Sequence, residues 1–204
     1  MHWPFKQHKT SRNIKILPHH ENLKSFGACF GVSAGYERPM WFALDGEKAE
    51  YQYSYNYQSW YPSAEYETNN TIKNVGLFDL TPFSKFEIKS YKAHQELQKI
   101  CTANIKNVPG KCVYTHMLNP DGGIETDLTV VCLDNNHFRI ISSAATRERD
   151  KFHIKKYLSK DVELKDVTDD LCVFGLFGPK SRDLVKTISK DNFDNNHFKF
   201  GTAK

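Results

Sequence analysis

The 204-residue sequence lacks the features that mark several large classes of protein. It has no run of about 18 to 20 apolar residues, which is the length that a membrane-spanning helix needs. Residues 1–6 contain no apolar segment typical of a secretory signal. The net charge of +4, from 28 basic and 24 acidic residues, is too small to indicate a nucleic-acid partner. We therefore expect a folded protein that binds neither membranes nor nucleic acids.

The cysteine pattern indicates neither disulfides nor a redox motif. The sequence has five widely spaced cysteines and no C-x-x-C pair. An odd, scattered set of this kind is typical of reduced and mostly buried thiols. This favours the cytoplasm, or the mitochondrial matrix if the source is a eukaryote.

Motifs for metals, phosphates and nucleophilic catalysis are absent as well. None of the nine histidines forms the H-E-x-x-H pattern of a zinc site, and His19-His20 has no nearby cysteine or carboxylate pair. The glycines match neither a phosphate-binding loop nor a dinucleotide fingerprint, and there is no G-x-S-x-G motif. The sequence therefore predicts no metal site, and no FAD bound to this chain.

The composition is that of a globular protein, with 39% hydrophobic and 25% charged residues. Residues 1–70 show few regular periods and many aromatic residues, so we interpret them as an irregular connector. Within it, tyrosines alternate with polar residues over 51–57, which is the period of a strand. We also expect Glu37 and Arg38 to form an ion pair within the connector.

Residues 71–204 have regular periods that predict the order β-α-β-β-β-α-β-α. The predicted strands are 83–88, 111–118, 124–133, 138–142 and 171–177; the predicted helices are 91–101, 143–158 and 178–188. Hairpins mixed with packed helices indicate an α+β domain with a mainly antiparallel sheet. We expect residues 147–150 to form a solvated helix face, and residues 198–201 to begin a further strand.

The most informative segment is the hairpin over residues 113–131. Asn119-Pro120-Asp121-Gly122-Gly123 is typical of a turn, because proline presets one backbone angle and glycine tolerates positive φ. Strand alternation places Glu125, Asp127 and Thr129 on one face of the second strand, opposite Thr126, Leu128 and Val130. From the residues alone, the Asp127 face is either a ligand surface or an ordinary solvent-facing side of an antiparallel sheet.

Four segments of the sequence resemble the folate-binding domain of the aminomethyltransferase (glycine cleavage T-protein) family, and they follow one another in the order found there. In chain order they are Val75-Gly-Leu-Phe-Asp-Leu-Thr81, the hairpin over residues 113–131, Ser143-Ala-Ala-Thr-Arg-Glu-Arg-Asp150 and Leu176-Phe-Gly-Pro179. The front third, with His2-Trp-Pro4, Gly27-Ala-Cys-Phe-Gly31 and Gly35-Tyr-Glu-Arg-Pro-Met-Trp-Phe42, resembles the junction after the flavin domain of dimethylglycine and sarcosine dehydrogenase-like proteins.

The resemblance implies a tetrahydrofolate-dependent one-carbon transfer domain. Asp127 matches the family's catalytic aspartate, which contacts the folate nitrogens and activates them for attack on an iminium carbon derived from a methylated amine. Tyr114, Thr129, Ser142 and Ser143 match further folate contacts. The implied partner is a flavin dehydrogenase domain, in cis or in trans, and any FAD would lie on that upstream domain.

Two departures from the family pattern limit this expectation. Thr126 replaces the first of the two adjacent aspartates found in T-proteins, a position where the dehydrogenase branch tolerates a small residue. The family's remaining folate contacts, a glutamate with arginine and aromatic partners, lie beyond residue 204. We therefore expect residues 71–204 to be the N-terminal part of an incomplete folate-binding domain that is inactive alone. The alternative is a non-catalytic folate-binding or interaction module.

Overall fold

A computed structural model describes residues 3–204, so Met1 and His2, the first residue of one junction motif, lie outside the described residues. The chain divides into two compact units. Unit 1 holds the residues up to Thr81 together with Phe174–Ile188, and unit 2 holds Pro82–Val173 with Ser189–Lys204. In chain order the elements are α1 (His20–Ser25), β1 (Ala28–Ser33), β2 (Tyr36–Phe42), α2 (Tyr61–Lys73), β3 (Gly76–Asp79), β4 (Ser84–Lys89), α3 (Ala93–Ile100), β5 (Cys112–Leu118), β6 (Ile124–Asp134), β7 (His137–Ser142), α4 (Arg147–Tyr157), β8 (Leu164–Asp166), β9 (Phe174–Phe177) and α5 (Ser181–Ile188).

Unit 2 is built on a five-stranded antiparallel sheet in the order β5-β6-β7-β4-β8. Helices α3 and α4 cover one face of this sheet, as the alternating apolar residues predict. Burial of each large apolar side chain stabilises the fold by about 1.5–3 kcal/mol. The predicted α+β class with a mainly antiparallel sheet is confirmed. The residues at the centre of this core are Phe86, Ile88, Leu97, Val130, Phe138, Ile140 and Ile154.

The turn between β5 and β6 has the predicted position and a specific cause. The Asn119 side-chain oxygen accepts hydrogen bonds from the backbone N–H groups of Asp121, at 3.1 Å, and Gly123, at 2.8 Å. Gly122 has φ +83°, a conformation that glycine adopts without strain. A register shift follows Met117, so that Leu118 pairs with Ile124. The turn thereby sets which residues of β6 face the core.

Unit 1 is more regular than the sequence predicted. Strands β1 and β2 form a hairpin, and β3 pairs with β9 antiparallel. The β1–β2 turn has positive φ at both Ala34 and Gly35, as a type I′ turn requires, but alanine is a weak signal for it. Helix α2 buries only Ser63 and so has no apolar stripe to reveal it. The β1–β2 hairpin and α2 were missed because their local signals are weak, whereas β9 lies within the predicted strand 171–177.

The expected ion pair between Glu37 and Arg38 is wrong. These neighbours in β2 project to opposite sides of the strand and cannot meet. Glu37 is 1% exposed and instead binds Arg12, which donates to its two oxygens at 2.7 Å each, while the Asn13 backbone N–H donates at 2.7 Å. The hydrogen bond from Arg12 lowers the pKa of Glu37.

The strand expected at residues 51–57 is also wrong, because this segment is irregular. The chain turns at Ser54, whose hydroxyl accepts from the Asn56 backbone N–H at 3.0 Å. Tyr51 and Tyr53 stack with ring centroids 5.5 Å apart, whereas Tyr55 is 77% exposed. The alternating tyrosines therefore lie in two environments: Tyr51 and Tyr53 pack against each other, whereas Tyr55 faces solvent.

The start of α4 is the expected solvated face at Glu148 and Arg149, which are exposed, but not at Arg147 and Asp150. Asp150 is fully buried and accepts a hydrogen bond from the Thr146 hydroxyl at 2.7 Å. Arg147 donates to the two carboxylate oxygens of Asp166 at 2.9 and 3.0 Å. A charge-rich sequence at a helix start can equally anchor the helix by buried polar bonds.

The further strand expected at residues 198–201 does not form. The segment consists of turns, and Phe200 is fully exposed. A single antiparallel bridge between Lys111 and Thr202 follows it.

The thiols are mostly buried, as predicted. Cys29, Cys101 and Cys132 are buried, Cys112 is half-buried and Cys172 is exposed, and all are free. Burial raises the pKa of Cys29 to about 11 and that of Cys101 to about 12. These two thiols are therefore poor nucleophiles at neutral pH.

We predict that Arg12→Met destabilises unit 1 by about 3 kcal/mol, because it leaves a buried carboxylate without its cation. The three tryptophans, Trp3, Trp41 and Trp60, lie in unit 1, so urea unfolding followed by tryptophan fluorescence reports on it.

The stabilisation of unit 1 by the ionised Glu37 carboxylate should also depend on pH. Because the pKa of Glu37 is lowered in the folded state, this stabilisation is present above about pH 4.3 and is lost at lower pH.

The matched control for the Arg12→Met prediction is Lys48→Met, which removes an exposed lysine of unit 1 and should change the same fluorescence midpoint little. An Arg12→Met midpoint equal to that of the unsubstituted protein would contradict the structural role of the buried pair.

Candidate functional site

The face of the β5–β6 hairpin that points away from the core carries the sequence-predicted aspartate. In the register of the two strands, Tyr114 pairs with Thr129 and His116 pairs with Asp127. Paired residues of antiparallel strands project to the same side. We call these four residues the hairpin face. Thr126, Leu128 and Val130 of β6 are buried on the opposite side, which confirms the predicted alternation.

Asp127 and Tyr114 are joined by a hydrogen bond. The Tyr114 hydroxyl donates to Oδ2 of Asp127 at 3.1 Å. Because this bond and the nearby negative charge favour the neutral phenol, they raise the pKa of Tyr114. The Tyr114 ring meets the His116 ring edge-on, with centroids 5.4 Å apart. His116 was missed by sequence reasoning, although its position two residues after Tyr114 in β5 was a usable signal.

The hairpin face is open. Tyr114 is 62% exposed, Asp127 is exposed and Thr129 is half-buried. None of the four residues lines the cavities of about 470 and 440 Å³ in the described chain. The Asp127 carboxylate therefore faces solvent, without an enclosing wall from the described residues.

The two predicted serines are not brought to the hairpin face. Ser142 pairs with Leu128, so its side chain lies on the core side, where it is 2% exposed. Its hydroxyl is buried and has no hydrogen-bond partner among residues 3–204. Ser143 is exposed and its hydroxyl accepts from the Ala145 backbone N–H at 3.3 Å, which caps the turn leading into α4. Of the predicted contacts, Tyr114, Asp127 and Thr129 are assembled together.

A compact charge cluster lies further along the sheet. Glu87 accepts from Arg139 at 2.6 and 3.0 Å and from His137 Nε2 at 3.0 Å. Although burial opposes it, these bonds lower the pKa of Glu87. The cluster is self-neutralised. Asp127, by contrast, has no ion-pair partner within 4.0 Å in the described chain. The same holds for Asp134 and Glu163, which lie at or near strand ends.

Two further classes of site are absent from residues 3–204. No group of three or more histidine, cysteine, aspartate or glutamate side chains is arranged to hold a metal ion. Helices there that are both long and apolar enough to span a membrane are also lacking.

We predict that Asp127→Asn lowers the pKa of Tyr114 towards the ordinary value of about 10, because the neutral amide no longer disfavours the phenolate. The chain has ten tyrosines, so the titration should be followed by NMR with ¹³Cζ-labelled tyrosine. Asp121→Asn at the hairpin turn is the control and should leave the Tyr114 titration unchanged. A Tyr114 titration identical in both variants would exclude the hydrogen bond to Asp127.

Comparison with known proteins shows the family to which this chain belongs. The chain belongs to the GCVT N-terminal domain family, whose model matches residues 19–204. It is an aminomethyltransferase-type domain similar to dimethylglycine and sarcosine dehydrogenases.

Two relatives illustrate the similarity. The 4-methylaminobutanoate oxidase (formaldehyde-forming) of Paenarthrobacter nicotinovorans is 36% identical, over 95% of this chain and 24% of that protein. The mitochondrial dimethylglycine dehydrogenase of Rattus norvegicus is 31% identical, over 85% of this chain and 20% of that protein. The chain thus spans about a quarter or a fifth of the length of these relatives.

A solved structure supports the fold. The glycine cleavage system aminomethyltransferase T from Bartonella henselae matches with a TM-score of 0.74 and 21% identity. The match covers 92% of this chain and 46% of that one. The aminomethyltransferase fold is therefore confirmed for most of the chain.

Proposed function

We propose that this chain supplies the hairpin half of a tetrahydrofolate site in a protein that transfers one-carbon units. The observation that carries the proposal is the exposed Asp127 carboxylate, held by Tyr114 on the hairpin face at 3.1 Å. Family membership makes this chemistry the expected one, and the residues fit it. We also propose the earlier domain boundary, with residues 71–204 as the N-terminal part of the folate-binding domain.

The fit to a reduced folate rests on the free side of Asp127. Its Oδ2 is taken by Tyr114, whereas Oδ1 accepts no hydrogen bond from residues 3–204. A folate amine N–H can donate to that oxygen. The Tyr114 ring, 62% exposed, offers a flat apolar surface for a pterin, and the half-buried Thr129 hydroxyl adds a donor or acceptor opposite it.

In this proposal Asp127 acts as a general base. When bound, tetrahydrofolate supplies the nucleophilic nitrogen that accepts the one-carbon unit. The Asp127 carboxylate orients that nitrogen and takes up its proton as the new C–N bond forms. Its negative charge also stabilises the cationic iminium carbon before attack. Tyr114 positions the carboxylate through its hydroxyl.

The open hairpin face implies that further protein completes the site. A ligand held by half of its contacts loses about 1.5–3 kcal/mol for each missing charge-assisted hydrogen bond. We propose that the remaining contacts come from the part of the aminomethyltransferase fold that this chain does not cover. The iminium would come from a flavin dehydrogenase domain, in cis or in trans, in the cytoplasm or the mitochondrial matrix.

A second candidate function follows from the same exposure. A carboxylate in open solvent activates a nucleophile less than an enclosed one, because water screens its charge. This favours a non-catalytic folate-binding or interaction module when the chain acts alone. A transfer domain and a folate-binding module both require folate to contact the hairpin face, and they differ in turnover, whereas an interaction module requires no folate contact.

We predict that 5-formyltetrahydrofolate, a stable reduced folate, binds the 204-residue chain weakly and shifts the amide NMR signals of β5 and β6. Asp127→Asn should weaken binding about tenfold or more, because one charge-assisted hydrogen bond is lost. Asp121→Asn, a nearby exposed carboxylate at the turn, should not. Shifts that avoid the hairpin, or an equal effect of the two variants, would contradict the folate site.

Turnover separates the two candidates. In a longer protein that carries this chain, Asp127→Asn should reduce methylene transfer to tetrahydrofolate about a hundredfold if Asp127 is the general base. Undiminished transfer in the Asn variant would leave the hairpin with a binding role alone. The 204-residue chain by itself should show little turnover.

A further inference from the structure

Unit 1 contains a cavity of about 490 Å³ that the proposed folate chemistry does not use. It lies between residues 7–13, α1, the start of β1 and residues 49–53. Its volume is within the range of about 300–1,000 Å³ that is common for small-molecule sites. All of its lining residues belong to unit 1, whereas Tyr114 and Asp127 belong to unit 2. A ligand in this cavity is therefore held by residues other than those proposed for folate.

His20 is the unusual side chain of the lining. It is 7% exposed, and its ring packs against that of Phe30 with centroids 4.0 Å apart. Its Nε2 lies 3.8 Å from a carboxylate oxygen of Glu21, but its Nδ1 is buried and makes no hydrogen bond to residues 3–204. Buried polar atoms are nearly always hydrogen-bonded, because an unmade bond costs free energy. The unmade bond of a ring that borders a cavity indicates a partner inside the cavity.

The charges of the lining favour an anion as that partner. Lys9 and Lys24 are exposed and form no ion pair or hydrogen bond within residues 3–204. Glu50 is the one acidic residue of the described lining. Cys29 and Tyr51 add no negative charge at neutral pH, because burial raises the pKa of Cys29 to about 11 and that of Tyr51 to about 12. The two lysines therefore leave a surplus of positive charge.

Arg12 adds a hydrogen-bond donor without adding to this surplus. Its charge is neutralised by Glu37, which accepts from Nε and Nη2 at 2.7 Å each, whereas Nη1 makes no hydrogen bond within the described chain. The lining thus combines guanidinium, ammonium and imidazole donors. A phosphate group matches this set better than a carboxylate does, because it has three strongly accepting oxygens and a charge of about −1.5 to −2 at neutral pH.

We propose that this cavity binds the phosphate group of a small phosphorylated molecule. The phosphate oxygens accept hydrogen bonds from the ammonium groups of Lys9 and Lys24 and from Nδ1 of His20. With Glu21 beside Nε2 and phosphate beside Nδ1, the imidazole ring is held in its protonated form, which donates from both nitrogens. Failure of folate binding at the hairpin face would leave this proposal standing, and the reverse also holds.

The probe for the first test is inorganic phosphate, titrated near neutral pH and at constant ionic strength into the ¹⁵N-labelled 204-residue chain. We expect saturable shifts of the Lys9, His20 and Lys24 amides, with a dissociation constant on the order of millimolar, as for other fragment-sized ligands. Acetate, with a smaller charge and two oxygens, should bind at least about fivefold more weakly. No saturable shift at these amides, or equal binding of acetate, would overturn the proposal.

The second test removes the imidazole nitrogens and keeps the ring packing. His20→Phe should weaken phosphate binding about tenfold, because the bond from Nδ1 is lost. The matched control is His19→Phe, the same change at the adjacent residue, whose ring packs against Phe174 with centroids 5.0 Å apart and does not line the cavity. Equal phosphate binding by these two variants would contradict the role of His20.

The third test separates a specific site from a general attraction of anions. Lys24→Met should weaken phosphate binding about fivefold, because it removes a charge-assisted hydrogen bond. Lys73→Met removes the same charge from an exposed position of unit 1 outside the cavity and should change the dissociation constant by less than about twofold. If His20→Phe loses its dispersed amide spectrum, this comparison decides. Equal weakening by the two lysine variants would overturn the proposal.

Discussion

The register of β6 between β5 and β7 governs both sides of the sheet in unit 2. It places Leu128 and Val130 against the helices and Asp127 on the outer face. A slip by one residue would exchange these sides, exposing the apolar residues and burying the carboxylate. Both changes are costly, so the core itself enforces the geometry of the hairpin face. The Asn119 turn and the paired neighbours on either side fix that register.

Three buried or half-buried carboxylates elsewhere in the molecule are paired with arginine within the chain. Glu37 is held by Arg12, Glu87 by Arg139, and Asp166 by Arg147, all at 3.0 Å or less. Asp127 contrasts with them, because its described partner is the neutral hydroxyl of Tyr114. A carboxylate kept free of cations on a rigid strand keeps its negative charge available to an incoming group. Asp134 and Glu163 also lack an ion pair, so what distinguishes Asp127 is its position on the hairpin face beside Tyr114.

Alternation and turn chemistry were enough to predict four of the five strands of the unit 2 sheet, but not the three-residue edge strand β8. The hairpin, the strand carrying Ser142 and the face of Asp127 followed from a period of two and from one Asn-Pro-Asp-Gly-Gly turn. The β1–β2 hairpin and α2 could not be predicted, because they lack a strong turn residue or an apolar stripe. The Arg12–Glu37 pair depends on tertiary contact between distant residues. The orientation of Ser142 towards the core was implicit in its pairing with Leu128, which sequence alone does not give.

The pairing of β3 with β9 has a consequence for the order of folding. Asp79 pairs with Phe174, although all of Pro82–Val173 lies between them in the chain. Bringing the ends of so long a loop together costs entropy that four paired residues per strand repay poorly. Once the intervening segment has collapsed onto its own core, the effective loop is short and the cost falls. Unit 2 should therefore be the nucleus of folding, and the pairing of β3 with β9 in unit 1 should form late.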